Sequence, residues 1–231
     1  MVPAIQWLWE NIAKLSTAST QGGKGFLRAF LKNLDTCTWA PHPLYSVFTQ
    51  YDQEYYVRKK GAFLHKYRCF YAVGKTVSPR TIIELGTCAG SGADAYLSAA
   101  PEARYIGFDF FGVTPRHDDS SPWDPHEVAK NLLQSRGFKN YELIRGDLRK
   151  ISTLPCSADF VVVDAAHDFD NEYADLNLAL TANPDFIFID DANDRAQAKP
   201  AIKKFLQEKV KVDYAVNIKY RGGGLVIKLK K

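Results

Sequence analysis

"DFVVVDAAHDFDNEYADLNLALTANPDFIFIDD", residues 159 to 191, holds two short apolar runs, Phe160 to Val163 and Phe186 to Ile189, each running into aspartate. Runs of aromatic and β-branched residues with no polar alternation read as strands buried on both faces. The 26-residue interval between Asp164 and Asp190 accommodates one helical crossover. A right-handed crossover sets such strands side by side and parallel, about 4.8 Å apart, with their C-terminal ends at one edge of the sheet. This stretch therefore decides for an α/β fold.

Working outward, the same texture begins at Thr81 and continues almost to the end of the chain. The runs "TIIEL", "RYIGF", "YELIR", "DFVVV", "DFIFI", "VDYAVNI" and "GLVIKLK" read as strands, and helices are predicted between them at about 92–99, 125–135, 171–181 and 197–209. Strands alternating with helices predict a Rossmann-like, doubly wound, mostly parallel sheet of seven strands. The last two runs are separated by "KYRGGG", too short for a crossover, so the C-terminal strand is predicted to be antiparallel. Residues 1–78 read differently, as a helical extension with two glycine-marked breaks and a long aromatic stretch from Tyr51 to Tyr71. The division is a helical cap or dimer contact over 1–78 and a ligand-binding domain over 79–231.

An apolar share of 46% with 24% charged residues is that of an ordinary globular protein and sets aside disordered and fibrous classes. The net charge of +4 comes from dispersed lysines, which a solvated face explains more simply than a nucleic-acid partner. Four scattered cysteines without a C-x-x-C pair suggest neither a zinc knuckle nor a disulfide framework, and a reducing cytoplasm is the simplest compartment. No apolar run approaches a membrane span, and "MVPAIQWLWENIAKL" lacks the basic start and cleavage site of a signal peptide. Its Ile5, Leu8, Trp9, Ile12 and Leu15 recur at helical spacing, as expected of a stripe packed on the chain's own core.

The first strand ends in "ELGTCAGSGADAYL": Glu84, then Gly86, Gly90 and Gly92 at the turn into a helix. Glycines there let backbone approach a ligand and present free amides at the helix start. No G-K-[ST] follows, so this is not a P-loop. "GSGADA" also fits a variant of the dinucleotide fingerprint, which keeps an NAD-binding oxidoreductase in view. Glu84, however, stands at the strand end, where it would repel a pyrophosphate but suit a sulfonium and an ammonium. The second strand ends in Asp109, 23 residues beyond Gly86, placed to accept from ribose hydroxyls. After the third strand comes "RGDL", whose Asp147 could take an adenine amino group while Leu148 or Phe110 packs on the ring.

Asp164, Asp190 and Asp191 should converge at the ligand-binding edge. Three carboxylates there repel one another, and a hard divalent cation, Mg²⁺ or a substitute, would remove the penalty. The plainer alternative is that Asp190 caps a turn and Asp191 is solvated.

"ELGTCAG", "GFDFF", "RGDL" and "VVVDAAH…FIFIDD" together resemble the class I S-adenosylmethionine-dependent methyltransferases over about Thr81 to Lys230. The loop spacing looks most like the cation-dependent O-methyltransferases of the catechol, caffeoyl-CoA and antibiotic-sugar type. The resemblance implies that Thr87 and Ser91 join Glu84, the loop glycines, Asp109, Phe110, Asp147, Leu148 and Asp164 in binding S-adenosylmethionine. Gly92 stands where those enzymes usually carry serine, with Ser91 one place earlier. It also implies a metal on Asp164, Asp190 and Asp191, and a base at His167 that takes a proton from a small-molecule hydroxyl. A structural loop histidine is the other reading of His167. A methyltransferase without metal, acting on a small molecule, RNA or protein, is the other reading of the whole. "FGVTPRHDDSSPWDPHE", Phe111 to Glu127, is a loop whose Arg116 or Trp123 would meet substrate if it closes, or else a plain surface excursion.

Overall fold

The computed structural model describes residues 17–18, 20–42, 53–111, 124–193, 196 and 198–231, with backbone alone for 17–18 and 53–63. The elements are β1 (Thr17–Ala18), α1 (Gln21–Asp35), α2 (Gln53–Val77), β2 (Thr81–Leu85), α3 (Ser91–Ala99), β3 (Arg104–Asp109), α4 (Pro125–Ser135), β4 (Tyr141–Arg145), β5 (Phe160–Val163), α5 (Phe169–Leu180), β6 (Phe186–Ile189), α6 (Ala198–Glu208), β7 (Val212–Ile218) and β8 (Gly224–Leu229). A single 3₁₀ turn, Leu148–Lys150, follows β4. The N-terminal stripe from Ile5 to Leu15, and Arg116 and Trp123 of the long loop, lie outside the described residues.

All seven strands read from the sequence are present, joined by the two-residue β1 at one edge, in the order β1-β7-β8-β6-β5-β2-β3-β4. β2 to β6 are mutually parallel; β8 runs antiparallel between β6 and β7, which returns β7 to the parallel sense. This is the Rossmann-like sheet with an antiparallel C-terminal strand. From β2 the chain builds outward to β3 and β4, then returns to place β5 on the other flank. The C-terminal ends of β2 and β5 therefore bound the crevice where the strand order reverses.

The unbroken apolar runs fill two cores, one on each side of the sheet. Phe160, Val162 and Phe188 face the helices α1 to α4, while Val161, Val163, Ile187 and Ile189 face α5 and α6. The alternation is the pleat of a strand buried twice over. The N-terminal helices share the first core rather than forming one of their own. Phe70 of α2 stacks on Tyr96 of α3 at 5.3 Å and meets Phe188 of β6 edge-on at 5.3 Å. Glycines do not break this region: Gly22, Gly23 and Gly25 lie within α1, and Gly61 and Gly74 within α2. Gly74 is there for proximity, since a Cβ would come within 3.3 Å of Ala99 and 3.4 Å of the Tyr96 ring. Among the described residues no helix is long and apolar enough to cross a membrane.

Candidate active site

The turn after β2 is built around conformations and contacts that only glycine permits. Gly86 has φ +96°, and a Cβ there would lie 2.1 Å from the Asp164 carbonyl oxygen. The β2 turn thus presses backbone to backbone against the end of β5. Gly90, at φ +83°, opens α3 with no side-chain cap of its own, the helix start lying at the turn after β2.

Glu84 takes a different place from the one its position suggested. It is 1% exposed, on the face of β2 that packs under α3, where it accepts a hydrogen bond from the Tyr105 hydroxyl. Thr87 lies 3.1 Å from the same hydroxyl and is buried too. Burial raises the Glu84 carboxyl to about 8, with the Tyr105 bond pulling the other way. Neither Glu84 nor Thr87 lines the cavity at the switch point; both brace the loop from beneath.

That cavity, of about 590 Å³, is lined by Gly86, Asp109, Phe110, Asp147, Leu148 and Asp164 among others. The ends of β2, β3, β4 and β5 therefore deliver residues to one space. Asp109 accepts 2.7 Å bonds from the amides of Cys88 and Phe111, tying the β2 and β3 turns together. Asp147 caps the 3₁₀ turn and is gripped by Arg149, with Nε to Oδ1 at 2.7 Å and a second guanidinium nitrogen to Oδ2 at 2.9 Å. The guanidinium holds the Asp147 carboxyl below its ordinary range. Phe110 is 57% exposed at the rim of this space. Arg149, Asn171 and Asp175 also line the space. The sequence reading passed over these three, because a single turn of 3₁₀ and the inner face of a crossover helix carry no local motif.

The three aspartates are brought to one edge but not into one cluster. The ladder extends a residue past each strand, with Asp164 N donating to Leu85 O at 2.8 Å and Asp190 N to Val163 O at 3.0 Å. Asp190 is 1% exposed; one oxygen pairs with Lys66 Nζ and the other accepts from the Tyr220 hydroxyl. Asp164 hydrogen-bonds to Asp190 as well. Burial and the neighbouring Asp190 charge raise the Asp164 carboxyl, whereas Lys66 and the three hydrogen bonds outweigh burial and lower that of Asp190. Asp191, at φ +49°, packs on Gly222 with one oxygen and lies 3.8 Å from His167 Nε2 with the other, and its charge also acts on Lys66. His167 Nδ1 is 3.9 Å from Oε2 of the buried Glu172. Asp190, Asp191 and His167 stand beside the cavity, beyond Asp164, rather than in its lining. Among the described residues no group of three or more His, Cys, Asp or Glu side chains is set to hold a metal ion.

No family model and no curated protein matches the chain. Solved structures match it along nearly its whole length. A Podospora anserina methyltransferase, PaMTH1, bound to S-adenosylhomocysteine, superposes with a TM-score of 0.59 at 16% identity over 94% of this chain and 100% of that one. The O-methyltransferase TomG of tomaymycin synthesis from Streptomyces achromogenes, in complex with S-adenosylmethionine, gives 0.57 at 14% identity, covering 89% and 98%. A methyltransferase from Geobacter sulfurreducens gives 0.57 at 14%, covering 89% and 96%. The strand order, the glycine turn at the switch point and these superpositions agree: the chain has the fold of the S-adenosylmethionine-dependent methyltransferases.

Proposed function

We propose that the chain is an S-adenosylmethionine-dependent methyltransferase acting on a hydroxyl of a small molecule. The observation that carries this reading is the convergence of Gly86, Asp109, Phe110, Asp147, Leu148 and Asp164 on one cavity at the switch point. The cradle fits the cofactor: at Gly86 a side chain would close the turn, and the uncapped start of α3 offers amides to a carboxylate. In this reading Gly86, Gly90, Ser91 and Gly92 hold the methionine end and Asp109 accepts from the ribose. Asp147, Phe110 and Leu148 take the adenine, while Glu84 and Thr87 fix the loop from below. The solved neighbours support it, since PaMTH1 holds S-adenosylhomocysteine and TomG S-adenosylmethionine.

The bound cofactor supplies a methyl group on a positively charged sulfur. The protein's share is to align an acceptor hydroxyl and remove its proton. His167 is the proposed base. Its imidazole stands between Asp191 and Glu172, at 3.8 and 3.9 Å, so the charge it gains has a carboxylate on either side. The N-terminal helices wall the acceptor side or meet a second copy, and the reducing cytoplasm is the proposed setting.

The divalent cation implied by the resemblance does not fit the residues as they stand. Asp190 has both oxygens engaged by Lys66 and Tyr220, Asp164 bonds to Asp190, and Asp191 faces His167. No step is assigned to it.

Calorimetry with S-adenosylhomocysteine and with NAD⁺ tests the proposal. S-adenosylhomocysteine should bind, and Asp109→Asn should weaken it by about tenfold or more through loss of a charged acceptor. Binding of NAD⁺ without S-adenosylhomocysteine would sink the reading.

A further inference from the structure

We propose that Lys66 is the resident cation of this site: its ammonium, carried in on α2, occupies the position that the paired carboxylates would otherwise give to a divalent metal. The inference rests on the methyltransferase reading only for the identity of the neighbouring cavity. Its own ground is the side-chain arrangement around Asp190.

Two strand-end carboxylates side by side need a positive charge. Here the need is met from within the chain. Lys66 Nζ pairs with Asp190, the Tyr220 hydroxyl fills the second oxygen, and Asp164 completes the set by hydrogen-bonding to its neighbour. The aliphatic stem and ammonium pack near the Phe70 ring, with Nζ 5.3 Å from its centroid. Phe70 is itself wedged between Tyr96, Phe188 and Tyr220. Lys66 is therefore anchored by the core one turn further along its own helix. A divalent ion arriving at Asp190 would have to displace that ammonium from its carboxylate. It would also have to displace a hydroxyl bond, and would still face the positive charge nearby.

The arrangement bears on the acceptor. A metal-centred site favours two vicinal oxygens that chelate the ion. A site whose charge is already balanced by Lys66 holds its acceptor by hydrogen bonds and shape, so a lone hydroxyl suffices. Lys66 acts here through Asp190 and Asp164, as a positioning residue.

Binding of Mn²⁺, read from its paramagnetic resonance signal, tests the assignment without knowledge of the acceptor. S-adenosylhomocysteine binding, measured alongside, reports separately on the cofactor cavity and on folding. The wild-type protein should show no saturable Mn²⁺ binding up to about 1 mM. Lys66→Arg, which keeps the charge, should stay equally closed to Mn²⁺. Lys66→Ala should acquire one Mn²⁺ site, at least about tenfold tighter than anything the wild type shows. One equivalent of Mn²⁺ bound by the wild type would overturn the proposal. So would a Lys66→Ala protein that still binds S-adenosylhomocysteine yet gains no affinity for Mn²⁺.

Discussion

Position 92 shows how one side chain's place excludes another. A Cβ on Gly92 would lie 2.4 Å from Glu84 Oε1, and Glu84 is held there by Tyr105 rather than free to yield. The glycine that departs from the resembling enzymes' serine is thus the counterpart of a carboxyl folded beneath the loop. Gly92→Ser should cost about 1–3 kcal/mol in urea unfolding, as overpacking does. Combined with Glu84→Ala it should cost less than the two changes summed, because the clash is shared. Additivity would show that the two positions do not touch. The sequence revealed that Glu84 and Gly92 belong to one turn. It could not reveal which way Glu84 pointed, since strand alternation says only that Glu84 faces opposite to Ile83 and Leu85.

At the scale of elements, α2 is what joins the N-terminal region to the site. Its Phe70 is fully buried among Tyr96, Phe188 and Tyr220, one turn from Lys66. Phe70→Ala should lower stability by about 3–5 kcal/mol, the range for a large aromatic removed from a core. A loss below about 1 kcal/mol would mean that α2 is only loosely seated. The strands and crossover helices were readable because each carries a period and its own boundary signals, from the double-faced run of β5 to Asp124 and Pro125 opening α4. The part played by α2 was not. Lys66 and Asp190 are 124 positions apart, and no local pattern marks a helix lysine as the partner of a strand-end aspartate. The sequence therefore showed an acidic cluster without its counter-charge, and a metal was the natural completion.

For the whole molecule, several carboxyls share one departure, upward. Burial pushes Glu84 to about 8 and Asp175 to about 7, while Asp164 and Glu172 are also raised. A carboxyl with a raised folded-state value binds a proton that the unfolded chain has released. Its stabilising contribution is complete below about pH 4 and is lost as pH climbs through 7 to 8. Asp190 and Asp159 run the other way, and their contribution fades only as pH falls through the acid range. The melting temperature should therefore be higher at about pH 5.5 than at about pH 8.5, with each raised group contributing a slope of at most about 1.4 kcal/mol per pH unit. Glu84→Gln should flatten that slope by about one proton. An unchanged slope would show that Glu84 titrates normally.

The position of β8 has a consequence for the order in which the sheet can assemble. It is last of the strands in sequence but lies inside, with β6 on one side and β7, followed by β1, on the other. The parallel strands from β4 to β6 can pair as soon as β6 is made. β7 and β1 have no partner in the growing sheet until β8 has slotted in. Among the described residues the sheet pairings of β1 run to β7, and those of β7 to β1 and β8, so the ladder reaches both strands through β8. A nascent chain stalled before Gly224 would carry a half-finished edge at β6, hydrophobic and unpaired, and prolonged chaperone occupancy at that stage is its natural signature.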